Sequence, residues 1–390
     1  MKGEFVAGIQ PSLLIWARTS VGLSVADVSK ILKRQSKEIE DWEAGIGAPT
    51  YAQLEKLAYQ IYKRPLAVFF LPSPPEEISL QTEFRTLPDA DMQSISRDTY
   101  LHIRKAHAYQ LALQDLFGGN NPNESCILKT LSLSPQKSIE GQAQNIRDFL
   151  GISLERQTQW RNDESALKEW RLAIENAGIY VFKAPFKQND ISGFCLLDPN
   201  LPIIYLNNST TKTRQIFSLL HELAHLLLSI NGISKIEAGY IENLPKKEAN
   251  IERFCNTMAA EILIPASDFS TESIKFPKDI EKASEDQFSA LANRYGVSRE
   301  AILRRFLDQG MVSNEFYQRK THIWTQQMKQ GSGGNWYLNQ GAYISNRFAK
   351  EVLSRHYQNQ LSVEQAADYL GIKAKNFAGF EERIIGGATA

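Results

Sequence analysis

Residues 217–228 read FSLLHELAHLLL, an apolar run interrupted by two histidines and a glutamate. On a helix of about 3.6 residues per turn, His221 and His225 lie four apart and leave from one face, with Glu222 about 60° round from His225. Ile216, Leu219, Leu220, Leu223, Leu226, Leu227 and Ile230 take the opposite side as a stripe suited to a core. The polar trio is therefore expected to face a cleft. Each residue type has a task there: two neutral imidazoles at this spacing can hold one Zn²⁺, and the intervening glutamate can take a proton from the water that the metal activates.

Such a site needs a third ligand. Downstream, EANIERFCNTMAAEILIP (248–265) reads as a second amphipathic helix that Pro265 stops, and it offers Glu248, Glu252 and Glu261. Glu248 and Glu252 share a face, whereas Glu261 lies about 180° from Glu252. Spacing favours Glu252 and leaves Glu248 open. Ala259 follows Glu252 on its own face and allows a neighbouring helix to approach, and Asn256, one turn on, can hydrogen-bond a ligating histidine. Arg214, two turns before His221 on the same face, is a candidate donor to a developing oxyanion and equally a candidate partner for a nearby carboxylate. Tyr240, between the two helices, is a second candidate donor.

RQIFSLLHELAHLLL followed by IERFCNTMAAEILIP resembles the ImmA/IrrE family of metallopeptidases. The matching positions are Arg214, Phe217, Ser218, Leu219, His221, Glu222, His225, Glu252, Cys255, Asn256, Ala259, Ala260, Leu263 and Pro265. The resemblance extends over roughly residues 138–309. It implies a zincin-like domain with zinc bound by His221, His225 and Glu252, with Glu222 catalytic and Mn²⁺ as the alternative ion. Cys255 reads as a small core hydrophobe.

Working outward, IYVFKAP, SGFCLLD and PIIYLNN precede the histidine helix as three short β-rich runs separated by turn residues. They suggest a small antiparallel sheet, to whose edge an extended peptide could add. FSALANRYGVSREAILRRF (288–306) and VEQAADYLGIKAKNFAGFE (363–381) each give helix, glycine turn, helix, which reads as packing architecture more than as a DNA reader. GSGGN (331–335) is expected to act as a hinge. His102, His107, His322 and His356 have no partner at ligand spacing and read as structural or incidental.

At the other end, residues 11–71 read as five short helices. Ser24 and Ser36 are expected to cap the second and third, with Gly22 and Gly45 ending the first and third. Trp42, Glu43, Gly45, Pro49, Leu54, Leu57 and Ala58 give this segment a resemblance to the XRE-type helix-turn-helix domain. Lys33, Arg34, Gln35 and Lys37 are its candidate DNA contacts. Glu38, Glu40, Asp41 and Glu43 follow them and would repel phosphates, which favours docking to a basic protein and keeps DNA as the alternative. LPSPPEE (71–77) marks a domain edge, and an extended SLQTEFRTLPD and a helical pattern from Ile95 to Phe117 follow it.

The fold class expected is α+β, mainly α. Its parts are a five-helix domain (1–75), a helical connector (76–136), the metallopeptidase-like domain (137–310) and a C-terminal helical region (311–390). With 390 residues the chain exceeds one core. Its 44 basic and 44 acidic residues balance, which argues against a protein that coats nucleic acid. Three scattered cysteines and the lack of a long apolar run suggest a cytoplasmic protein with reduced thiols and no membrane span. The resemblance implies an endopeptidase acting on a helix-turn-helix repressor or antitoxin, and so controlling stress, mobile-element or toxin-antitoxin genes. The alternative is a regulator or toxin-antitoxin component whose zinc domain senses or binds without turnover.

Overall fold

The structure, a computed structural model, describes residues 5–75, 84, 95–123, 125–188, 190–235, 238–328 and 343–386. The expected extended segment after residue 79 falls outside these residues apart from Phe84, as does the GSGGN hinge. Contacts divide the chain into two units, residues 1–105 with 186–188, and 106–185 with 189–390. The boundary falls within one helix, Arg97–Phe117.

The first unit opens with α1 (Pro11–Thr19), α2 (Val25–Leu32), α3 (Ser36–Glu43) and α4 (Tyr51–Glu55). A wider π-helical stretch, Lys56–Tyr62, carries α4 onward, and a 3₁₀ turn, Leu66–Phe70, stands where a fifth helix was expected. Leu13, Ala17, Val28, Ile39, Trp42, Leu54, Leu57 and Ile61 fill its core. Ser24 caps α2 reciprocally with Asp27. Ser36 does not cap α3: Gln35 takes the preceding extended position, and Ser36 is already helical. Glu43 accepts both arms of the Arg18 guanidinium, at 2.7 and 2.8 Å, and so ties α3 to α1.

In chain order, the second unit's longer elements begin with the latter part of α5 (Arg97–Phe117), then α6 (Ile139–Leu150) and α7 (Asp163–Asn176). Strands β1 (Tyr180–Ala184), β2 (Ile191–Leu196) and β3 (Ile203–Asn207) lead into α8 (Lys212–Leu227). A fourth strand, β4 (Gly232–Lys235), and α9 (Lys246–Leu263) follow. Beyond them come α10 (Glu285–Tyr295), α11 (Arg299–Asp308), α12 (Asn314–Met328), α13 (Asn346–Tyr357), α14 (Val363–Leu370) and α15 (Phe377–Gly386). The helix–glycine–helix pairs fall on α10–α11 and α14–α15. Gly296 and Gly371 take the left-handed turn after α10 and α14, at φ +66° and +64°. His356 in α13 is structural: its Nδ1 lies 3.0 Å from the Leu361 carbonyl.

The sheet is mixed, where the sequence suggested an antiparallel one. Its order is β1-β3-β2-β4. β2 pairs antiparallel with β3 and β4, but β3 also pairs parallel with β1, from Tyr180 opposite Ile203 to Ala184 opposite Asn207. Alternating apolar residues specify strands and not their order. Here the β2–β3 hairpin inserts β3 beside β1. Helix α8 packs on β2, β3 and β4 and also contacts α7 and α9. Its apolar stripe (Ile216, Leu219, Leu220, Leu223, Leu226, Leu227) enters the large core with Trp170, Ile204, Met258 and Ile262.

Candidate metal centre

Thr211 starts α8 by accepting the Arg214 N–H, and Ser229, at φ +60°, ends its run so that the chain can return as β4. Helix α9 begins after Pro245 and ends before Pro265. These two rods bring three ligand-type side chains together. The Nε2 atoms of His221 and His225 are 3.0 Å apart, and the two Glu252 oxygens lie 3.3 Å from one imidazole each.

The trio on α8 does not face an open cleft. His221, Glu222, His225 and Glu252 are 3, 0, 0 and 1% exposed, because β4 and α9 cover the polar face. Lone-pair atoms converging in a dry interior repel one another unless a cation lies among them. Ligands about 2.0–2.1 Å from a tetrahedral ion stand about 3.3 Å from each other. The observed separations suit that geometry, so the donor set fits a small divalent ion. Burial alone would raise the Glu252 carboxyl, but the two imidazoles, His225 foremost, outweigh it and hold it well below the usual carboxylate range.

The other carboxylates are occupied differently. Glu261 pairs with Arg305 and accepts the Ala266 N–H at 2.8 Å, which closes the end of α9. Glu248, left open by spacing, is not among the converging ligands. Glu222 accepts a hydrogen bond from Ser234 Oγ through Oε1, while its buried Oε2 has no hydrogen-bond partner among the described residues. Burial pushes the Glu222 carboxyl up, against the pull of the two histidines.

One expectation needs correction. Asn256 is half-buried and makes no hydrogen bond to either imidazole. Neither Nδ1 has a hydrogen-bond partner among the described residues, and Cys255 interacts with His225 in addition to Glu252. Arg214 donates to the Lys235 carbonyl at 2.9 Å and lies over the Phe217 ring, so it secures the end of β4. The Tyr240 side chain lies outside the described residues. Sequence reasoning missed β4, Ser234 and Cys195, the thiol neighbour of Glu222. Their signal was weak, since ISK is too short for periodicity and Asn231-Gly232 reads as a turn.

The candidate nucleic-acid residues lie on and before α3. Lys33 holds a left-handed turn at φ +56°, and Gln35 precedes the helix. Arg34 stands 4.0 Å from Glu38, and Lys37 stands 3.0 Å from Asp41. No helix among the described residues is long and apolar enough to cross a membrane.

Residues 174–307 match the family model Peptidase M78, described as the IrrE N-terminal-like domain. The match covers about a third of the chain. It runs from the end of α7 to α11 and contains all four converging or adjoining residues, His221, Glu222, His225 and Glu252. The family is of metallopeptidase type, and this portion of the chain is similar to it. No curated protein matches the chain.

Proposed function

We propose that the protein is a zinc-dependent endopeptidase, with His221, His225 and Glu252 holding the ion and Glu222 moving the proton. The observation that carries this reading is the convergence of two buried imidazole nitrogens, 3.0 Å apart, on the Glu252 carboxylate, one oxygen 3.3 Å from each, beside the buried Glu222 carboxylate. A divalent ion held there would supply Lewis-acid polarisation of a peptide carbonyl and of the attacking water. Zinc suits two imidazoles and one carboxylate, and Mn²⁺ is the alternative.

Glu222 accepts the proton of the attacking water on Oε2 and then delivers it to the leaving nitrogen, as one group acting first as base and then as acid. Its buried environment favours the protonated form between those two events. Tyr240 is kept as a candidate oxyanion donor, whereas the contact of Arg214 with the Lys235 carbonyl gives that guanidinium a structural task. β4 ends the sheet, and an extended substrate segment adding to it would lie beside α8. The substrate is then a protein with an extended or locally unfolded stretch, and a helix-turn-helix repressor or antitoxin is the proposed class, in a cytoplasmic regulatory setting.

The first unit is read as an XRE-like domain that docks protein. Supporting this, Arg34 and Lys37 are drawn into ion pairs along α3, and Phe5 and Ile46 are 73 and 76% exposed. DNA contact through Lys33, Arg34, Gln35 and Lys37 is the second reading.

The test incubates zinc-loaded wild type and Glu222→Gln with small helix-turn-helix repressor and antitoxin proteins. Cleavage by wild type and a loss of about a hundredfold or more in the variant supports the proposal. Equal binding without cleavage by either sinks it in favour of sequestration.

A further inference from the structure

Strand β4 touches the metal centre twice from one face. Its residues alternate sides, so Gly232 and Ser234 point the same way. Gly232 lies against the His225 ring so closely that a Cβ there would stand 2.7 Å from both Cγ and Cδ2 and 3.0 Å from Nε2, leaving room only for hydrogen. Ser234, 4% exposed, donates its hydroxyl to Glu222 Oε1. The strand itself is fixed on both sides of this contact. Ser192 Oγ donates to the Ser234 carbonyl at 3.3 Å, and Arg214 from the first turn of α8 donates to the Lys235 carbonyl at 2.9 Å. Gly193 pairs with Ser234 beside an irregularity in the β2–β4 register.

We infer that Ser234 is a positioning residue for Glu222, holding the carboxylate by Oε1 so that Oε2 stays available for the proton. This rests on the reading of Glu222 as the base. A glutamate carboxylate on three rotatable bonds samples several orientations, and one fixed hydrogen bond in a dry site selects among them. Gly232 allows the strand to come near enough for a hydroxyl as short as that of serine to reach. The Ser234 hydroxyl is not among the converging ligand atoms and is turned to Glu222. Its removal is therefore expected to change turnover and not metal retention.

The test uses the full chain loaded with zinc. With glutamate labelled at Cδ, the carbon resonance that disappears in Glu222→Gln identifies the carboxylate. Ser234→Ala shifts that resonance and Ser234→Thr restores it, while zinc retention against a chelator stays within about twofold. On a library of unstructured peptides, Ser234→Ala lowers kcat about ten- to a hundredfold with KM unchanged. An unmoved Glu222 resonance, zinc lost together with the hydroxyl, or an unchanged kcat beside an inactive Glu222→Gln each overturns the inference. A Glu222→Gln variant that turns over like wild type overturns the base reading instead and leaves the shifted resonance as evidence for the hydrogen bond alone.

Discussion

Lys183, in β1, puts an ammonium where only 7% of the residue is exposed, beside Arg171 and Lys212. Burial first, and those two cations second, push it down to about 7. An unfolded lysine titrates near about 10.4, so the unfolded state binds more protons between these values and stability rises with pH across them. Below about pH 7 both states are protonated and the folded state bears the full penalty. Lys183→Met is expected to stabilise the chain by on the order of a few kcal/mol at about pH 6, with the gain shrinking towards about pH 10. Thermal denaturation of both proteins over that range checks this, and a gain independent of pH would contradict it. At this scale the sequence was most legible where chemistry is sparse. His221, Glu222 and His225 announce themselves because imidazole and carboxylate rarely interrupt an apolar stripe. Ser234 and Lys183 carry no such signal, since their roles arise from neighbours remote in sequence.

Helices α8 and α9 could be read ahead of the structure because a period near four and a terminal proline are local properties. Strand order is not local, and so the insertion of β3 beside β1 and the arrival of β4 across α8 were illegible. The covering of the polar face followed from that omission: with β4 unseen, the histidine face was expected to open on a cleft. β4 also supplies the sharpest test at this scale. In Gly232→Ala the new methyl must displace the His225 ring or the strand. Zinc affinity is expected to fall by about tenfold or more, because ligand geometry degrades, while far-ultraviolet circular dichroism stays unchanged. Wild-type affinity measured by chelator competition would show that the strand yields instead.

Each of the two units has its own apolar core, one around Leu13, Trp42 and Leu57 and the other around Trp170, Leu223 and Met258. Such a chain need not unfold as one cooperative block. Leu57→Ala, at a position 1% exposed, is expected to destabilise the first unit by about 2–5 kcal/mol, seen as a lowered transition in calorimetry, with zinc affinity unaltered. Loss of zinc binding in that variant would tie the centre to the first core. The most direct test of the whole account is metal stoichiometry. The purified full chain, loaded with zinc, desalted and measured by elemental analysis, is predicted to hold one ion per chain, and Glu252→Ala to hold almost none. Zinc retained undiminished by Glu252→Ala, or a wild-type chain that binds none at saturating zinc, would contradict it.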